Sequence, residues 1–233
     1  MKYSERQNQI LELLQKEKSA SVHRLAKQVC ISESSVRRDL AALERMGKIH
    51  RTFGGAVLNE GTGREVAMIY RRTQNIEQKR RIAEKAVRHI SDGMMIFLDA
   101  SSTAAQIIPL LGQFQDLTVV TNSPQNSIAL AEMQIRNHCT GGRLLNQSLA
   151  YVGFGAVSYI ENLRADICFF SCRGFGDDGV LSDSMEEEVY IRRAMLTHAE
   201  KKIFLCDGSK YGKSYAYRLC HVDDVDEIIS EDK

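Results

Sequence analysis

Asp99-Ala100-Ser101-Ser102-Thr103 combines a carboxylate, small side chains and three hydroxyls just after an apolar run, Met94 to Leu98, and just before a helical pattern. Small residues at such a strand-to-helix turn let the backbone approach a ligand. The hydroxyls donate hydrogen bonds, and a helix N-terminus adds free amides and partial positive charge, which together form a phosphate cradle. Plain helix capping by the same Ser and Thr is the alternative. Lys210, in Asp207-Gly208-Ser209-Lys210, follows another apolar run and supplies the cation a phosphate wants. Asn122, Gly141-Gly142 with Arg143, and Glu188 stand at comparable junctions and offer polar contacts to the rest of a ligand.

A second set of residues carries different chemistry. Ser34, Ser35, Arg37 and Arg38 open a helix predicted over 33–46, with Arg45 near its end, and His50, Arg51 and Thr52 follow in a short ribbon, residues 48–58, with Gly54-Gly55 at its tip or exit. Ser32 is a good N-cap and Gly47 a good C′ stop for that helix. At about 100° per residue, Val36, Leu40 and Leu43 fall on one side, with Ser34, Arg38, Ala41 and Arg45 opposite and Arg37 on the flank. Two shorter helices precede it. One runs from Tyr3 to Gln15; the other, Val22 to Val29, is capped by Ser21, and Cys30, Ile31 and Ser32 make the turn into the third. This is the order of a helix-turn-helix with a wing, whose second helix enters the major groove of DNA while the wing touches backbone phosphates.

The stretch SESSVRRDLAALERMGKIHRTFGGAV resembles the signature of the DeoR family of bacterial transcriptional regulators: Ser, two residues, Val or Ile, Arg-Arg-Asp-Leu, then a Gly-Gly-Ala wing. Further markers extend the resemblance through nearly the whole chain: LDASST (98–103), TNS (121–123), Gly141-Gly142, Val152-Gly153, EVYIRRAM (188–195) and DGSKYG (207–212). The resemblance implies a C-terminal domain like ribose-phosphate isomerases that binds a phosphorylated sugar as effector. Ser101, Ser102, Thr103 and Lys210 would then hold the phosphate, with Asp99 beside them in the effector site, and Asn122, Gly141, Gly142 and Glu188 would meet the sugar. It further implies double-stranded operator DNA as partner and regulation of a carbohydrate-catabolism operon, with release from DNA on effector binding and hence repression. The chain departs from the pattern at Ser101, where most members have Gly, at Gly208 in place of Ser, and at Arg173, where an acidic residue is expected. LDASST with FFSCRGF (169–175) looks most like the branch controlling fucose and related deoxysugar operons.

Charge supports two functional parts independently. The chain carries +1 overall, but residues 1–81 hold 17 Lys and Arg against 9 Asp and Glu, a net +8, while residues 82–233 hold 14 against 21, a net −7. A basic head suits a polyanion because neutralising phosphates releases counterions, whereas an acidic body is repelled from it.

The remaining elements position these residues. Residues 59–74 read as a polar linker, and Asn75 as the cap of a helix to about Ile90, whose cluster Lys79-Arg80-Arg81 reads as a solvated face, with a second phosphate contact as the alternative. Apolar runs at 94–98, 117–121, 165–171 and 202–206 alternate with helical patterns at 103–111, 124–133, 153–162 and 185–200, which predicts a parallel sheet covered on both faces. The expected fold is therefore α/β: a winged helix-turn-helix domain over 1–58, then a Rossmann-like, doubly wound domain over 75–233, with ligands at the carboxyl ends of the strands. One winged helix covers little DNA, so a homo-oligomer, at least a dimer formed mainly through the body, is expected.

With 43% hydrophobic residues, no apolar run of membrane-spanning length and no apolar core in the first ten residues, the chain is expected to be cytoplasmic, with no membrane partner. Its six cysteines show no CxxC pair and no zinc spacing, so neither a metal nor a cofactor is expected. The rival reading is a sugar-phosphate isomerase or transferase fused to a DNA-binding domain, with Asp99, Asp207 or Glu188 as general base. A fused winged helix brings an isomerase no evident gain, and Lys210 beside Asp207 weakens that carboxylate as a base.

Overall fold

The computed structural model describes residues 4–45, 48–52, 54–58 and 68–232. These form two compact units, Met1–Gln74 and Asn75–Lys233.

In the first unit, α1 (Glu5–Glu17) starts at a capping box: the Ser4 hydroxyl accepts from the Gln7 amide, and the Gln7 side chain accepts from the Ser4 amide. Strand β1 (Ser19–Ser21) leads into α2 (Val22–Val29), where the Ser21 hydroxyl accepts from the Arg24 amide. Cys30 then takes a left-handed conformation, φ 54°, and turns the chain into α3 (Glu33–Arg45). The Ser32 hydroxyl accepts from the Ser35 amide at 3.3 Å, as an N-cap should. Ile10, Leu14, Leu25, Val36, Leu40, Leu43 and Ile49 form the core of this unit.

Strands β2 (Ile49–Arg51) and β3 (Gly55–Leu58) pair antiparallel as the wing, and β1 adds a third strand in the order β1-β3-β2. Three residues rich in serine do not signal a strand, so the sequence gives no sign of β1. Gly55 is what admits it, because a Cβ there would collide with the Ala20 carbonyl oxygen of β1. Residues 68–73, expected as linker, include the helix α4 (Met68–Thr73); residues 59–67 and the proposed Gly47 stop lie outside the described residues.

In the second unit, α5 (Ile76–Ala86) precedes β4 (Met95–Leu98), a 3-10 helix (Ala104–Gln113), β5 (Thr118–Thr121), α6 (Pro124–Glu132) and β6 (Arg136–Cys139). A hairpin, β7 (Arg143–Leu145) and β8 (Ala150–Val152), leads to α7 (Phe154–Glu161), β9 (Ala165–Phe170), β10 (Gly174–Phe175) and β11 (Val180–Asp183). The chain closes with α8 (Glu186–Thr197), β12 (Ala199–Leu205), β13 (Tyr217–His221) and β14 (Glu227–Ile229).

Six strands form a parallel sheet in the order β14-β12-β9-β4-β5-β6, and β10-β11-β13 form a small antiparallel sheet. Ile82, Ala83, Ala86, Ile107 and Leu111 cover one face of the parallel sheet, and Ala156, Ile160, Val189 and Met195 the other, giving the expected doubly wound architecture.

Three local expectations are corrected. The pattern at 103–111 makes a 3-10 helix, consistent with Pro109 inside it, which lacks a donor for an α-helical ladder. The helix expected to Glu200 ends at Thr197, and β12 starts at Ala199. Asn75 precedes α5 in a left-handed conformation without a side-chain cap bond, its amide being used elsewhere. β6 and β14 carry too little apolar alternation to be read as strands; parallel pairing with β5 and β12 makes them so.

Candidate functional site

The first unit presents the exposed side of α3. Arg38 is exposed and makes no ion pair with a described residue. Arg37 is exposed and pairs with Glu33 one turn back at 3.1 Å, a carboxylate also met by His23. The hydroxyls of Ser34 and Ser35 each lie 2.9 Å from that of Ser32. Arg45 folds back, donating from Nε to the Ala41 carbonyl.

On the wing, Arg51 is held by Glu44, which accepts from its amide at 2.9 Å and its guanidinium at 2.7 Å. Burial tends to raise the Glu44 carboxyl, but the Arg51 hydrogen bonds outweigh it and hold it below its usual value. The Thr52 amide donates to the Gly55 carbonyl across the hairpin, and His50 is half-buried in β2. Sequence reading passed over Asp39, which is buried and takes a two-point ion pair from Arg6 of α1, Nη2 to Oδ1 being 2.9 Å. That pair ties α3 to α1.

In the second unit, the parallel strands bring the loops after β4, β5, β9 and β12 to one edge. Asp99 is the hub. Its Oδ1 accepts from the Ser101 amide, and its Oδ2 from the Ser171 amide at 3.2 Å and Arg192 Nε at 2.9 Å. Both oxygens are engaged by the fold, so Asp99 shapes the loop rather than offering a free acceptor. The Ser101 hydroxyl accepts from the Ala104 amide.

Lys79 overturns the expectation of a solvated face: it is 4% exposed, and its Nζ donates to the Ser102 hydroxyl at 3.0 Å. The signal was present, because Lys79 stands three, four and seven residues before Ile82, Ala83 and Ala86, on the buried stripe of α5. Arg80 and Arg81 remain exposed. Lys210 lies 3.5 Å from Asp207 Oδ2, and Asn75 donates its side-chain amide to Asp207 Oδ1. Burial tends to raise the Asp207 carboxyl; Lys210, the Ser209 hydrogen bond, Lys79 and Asn75 overcome this and hold it below its ordinary value. The Thr103 hydroxyl, buried beside Ser102, has no partner among the described residues.

Beyond Asp99 lies a buried charge cluster. Arg192 reaches Asp99, Asp183 at 3.0 Å and Glu188 at 3.3 Å, and Arg173 lies 3.9 Å from Asp183 with its guanidinium 5.9 Å from the Tyr215 ring. Burial would lower the Arg192 guanidinium, yet its three carboxylates raise it above its usual value. Glu188 is 4% exposed and uses only Oε2; its Oε1 has no partner among the described residues. Asn122 donates to the Tyr151 carbonyl, leaving its buried Oδ1 without one among the described residues. Gly141 and Gly142 hold positive φ, and a Cβ on Gly142 would meet the Val152 carbonyl at 2.6 Å, so Gly142 serves the close approach of β8 while Gly141 serves the turn alone. Arg143 is an exposed partner of Glu187. A groove of about 460 Å³ lies between α7 and α8, lined by Phe154, Val157, Glu187, Tyr190 and Ala194 among others, and none of the candidate effector residues lines it.

The buried thiols Cys172 and Cys206, at the ends of β9 and β12, are pushed up to about 12 by burial. All six cysteines are free, and no helix among the described residues is long and apolar enough to cross a membrane. Among those residues no group of three His, Cys, Asp or Glu is placed to hold a metal ion.

Comparison with known proteins matches residues 6–62 to the DeoR-like helix-turn-helix domain and residues 74–232 to the DeoR C terminal sensor domain. The chain is 33% identical over 230 residues to the HTH-type transcriptional regulator GolR of Listeria innocua, covering 98% of this chain and 91% of that one. It is 32% identical over 233 residues to the L-fucose operon activator of Escherichia coli, covering 98% and 95%. Ribose 5-phosphate isomerase A from Methanocaldococcus jannaschii aligns with 59% of this chain and 55% of its own, at 19% identity and a TM-score of 0.45.

Proposed function

The chain belongs to the DeoR family of transcriptional regulators, and from that premise we propose that it represses a carbohydrate-catabolism operon and leaves its operator when a phosphorylated sugar fills the second unit. The observation that carries the effector half is Lys79. Its buried ammonium stands at the Ser102 hydroxyl, on the loop that also carries the buried Thr103 hydroxyl, so a cation and hydroxyl donors are already gathered at one place. A phosphate bound by the hydroxyls of Ser101, Ser102 and Thr103 would lie beside Lys79, with Lys210 as a second cation. Asn122 and Glu188 would meet the sugar, with Gly141-Gly142 shaping the wall and Asp99 holding the loop.

On DNA, Ser34, Ser35, Arg37 and Arg38 would face base edges and phosphates of the major groove. Arg45, His50, Arg51 and Thr52 would lie along the backbone, Arg51 exchanging Glu44 for a phosphate. The protein would act as a homo-oligomer in the cytoplasm, reading repeated half-sites.

In this reading the second unit binds its ligand without turning it over. Asp99 has no free oxygen, Asp207 sits below its ordinary value as a weak base, and neither buried thiol ionises at neutral pH. The test is a thermal-shift screen of phosphorylated sugars beside their unphosphorylated forms. Stabilisation by a phosphorylated member only is expected; equal stabilisation by the unphosphorylated sugar refutes the phosphate cradle.

A further inference from the structure

The candidate effector site gathers groups of opposite chemistry. Lys210 follows β12, and Lys79 meets Ser102 on the loop after β4, which also carries the Thr103 hydroxyl. Asn122 follows β5, on the far side of β4 from β12, and Glu188 joins Arg192, itself bonded to Asp99 at the end of β4; Asn122 Oδ1 and Glu188 Oε1 are acceptors without a partner among the described residues, both on residues less than 5% exposed. The charge behind them is negative as well. Asp99, Asp183 and Glu188 face two guanidiniums, Arg192 and Arg173, and Arg173 is already directed at Asp183.

We propose that Glu188 and Asn122 restrict the effector to phosphorylated sugars with a single anionic end, whose other end presents hydroxyl donors, and exclude sugar bisphosphates and phosphorylated sugar acids. This rests on the phosphosugar reading above. Hydroxyl protons satisfy the two buried acceptors, whereas a second phosphate or a carboxylate sets acceptor against acceptor beside a net negative cluster. Specificity then arises by rejection as much as by attraction. Sequence reading placed Glu188 and Asn122 as general polar contacts; their lack of partners gives the contact its direction.

The experiment is calorimetric titration of the full chain with hexose 6-phosphates, the corresponding 1,6-bisphosphates and the corresponding 6-phosphoaldonic acids. The monophosphate should bind on the order of tenfold to a hundredfold tighter than either partner of its series, the range expected when buried acceptors are left facing another acceptor. Glu188→Gln should narrow that gap, because the new amide donates to the second anion while its carbonyl still accepts from Arg192. Equal or tighter binding of the bisphosphate or acid by the parent protein overturns the proposal while leaving the phosphate cradle standing. A gap unchanged in a folded Glu188→Gln protein also overturns it. Failure of every phosphorylated sugar to bind removes the proposal and the reading beneath it together. The parent protein alone decides the first point, so the test survives a variant that does not fold.

Discussion

Lys79 donates to the hydroxyl of Ser102 at 3.0 Å, joining the first turn of α5 to the loop after β4 across 23 residues of sequence. Replacing it with Met keeps an unbranched side chain of similar length on the buried stripe and removes the charge. We expect Lys79→Met to retain the fold and operator affinity while losing the thermal shift given by the phosphorylated sugar. A full parental shift in the variant would show that this cation does not hold the ligand.

Arg38 and Arg45 are exposed cations of α3 with no ion pair among described residues, but Arg45 turns back onto the Ala41 carbonyl, and Arg37 is tethered to Glu33. Arg38→Ala should therefore cost more specific binding than Arg37→Ala, about 1–3 kcal/mol in an anisotropy titration with operator DNA. Arg51→Ala should cost less and act evenly across sequences, since a wing cation reads phosphates. Parental operator affinity in the Arg37→Ala, Arg38→Ala double variant would refute the groove assignment.

The Arg6–Asp39 pair predicts a structural effect seen as a DNA-binding defect. Asp39 is buried and α1 supplies its cation, so Arg6→Met leaves that carboxylate without its partner. The variant should melt earlier in its first unit and bind operator less tightly, although Arg6 makes no DNA contact in this account. An unchanged melting curve and affinity would show that the pair does not orient α3.

Asp207 predicts an acid dependence. Its carboxyl sits below the ordinary value of 3.8, so the stability it contributes is fully present above that value and disappears as pH falls through the lower, folded one. The melting temperature of the parent should exceed that of Asp207→Asn by a constant margin from neutral pH down to about pH 5, and the margin should shrink below about pH 4 as Asp207 protonates. A margin that persists into acid would mean that packing, not charge, accounts for the difference.

The helices of the first unit were legible because caps and apolar spacing agree at Ser21, Ser32, Val36, Leu40 and Leu43. The central strands of the second unit were legible because a parallel sheet buried on both faces reads as continuous apolar runs, as in 167–170. What escaped reading depends on tertiary partners. β1 exists because Gly55 admits it, and β14 because β12 offers an edge. Polar residues on buried stripes were harder still: Lys79 looked like part of an exposed basic run, and Arg192 like one of two arginines on α8. Helical phase separates them from their neighbours, since Arg192 follows Glu188 and Val189 and precedes Met195 and Leu196, all buried. The engagement of both Asp99 oxygens could not be foreseen, because Ser171, just past β9, and Arg192, on α8, lie 72 and 93 residues away.

The central claim is that a phosphate held by Lys79, Lys210 and the 101–103 hydroxyls weakens DNA binding, and an operator titration with and without the phosphorylated sugar found by the screen tests it most directly. The coupling should be about 1–3 kcal/mol and reciprocal, so that operator DNA lowers effector affinity by the factor by which effector lowers operator affinity. Lys210→Ala should bind operator as the parent does and ignore the effector. If Lys210→Ala is released by effector as readily as the parent, the account is contradicted.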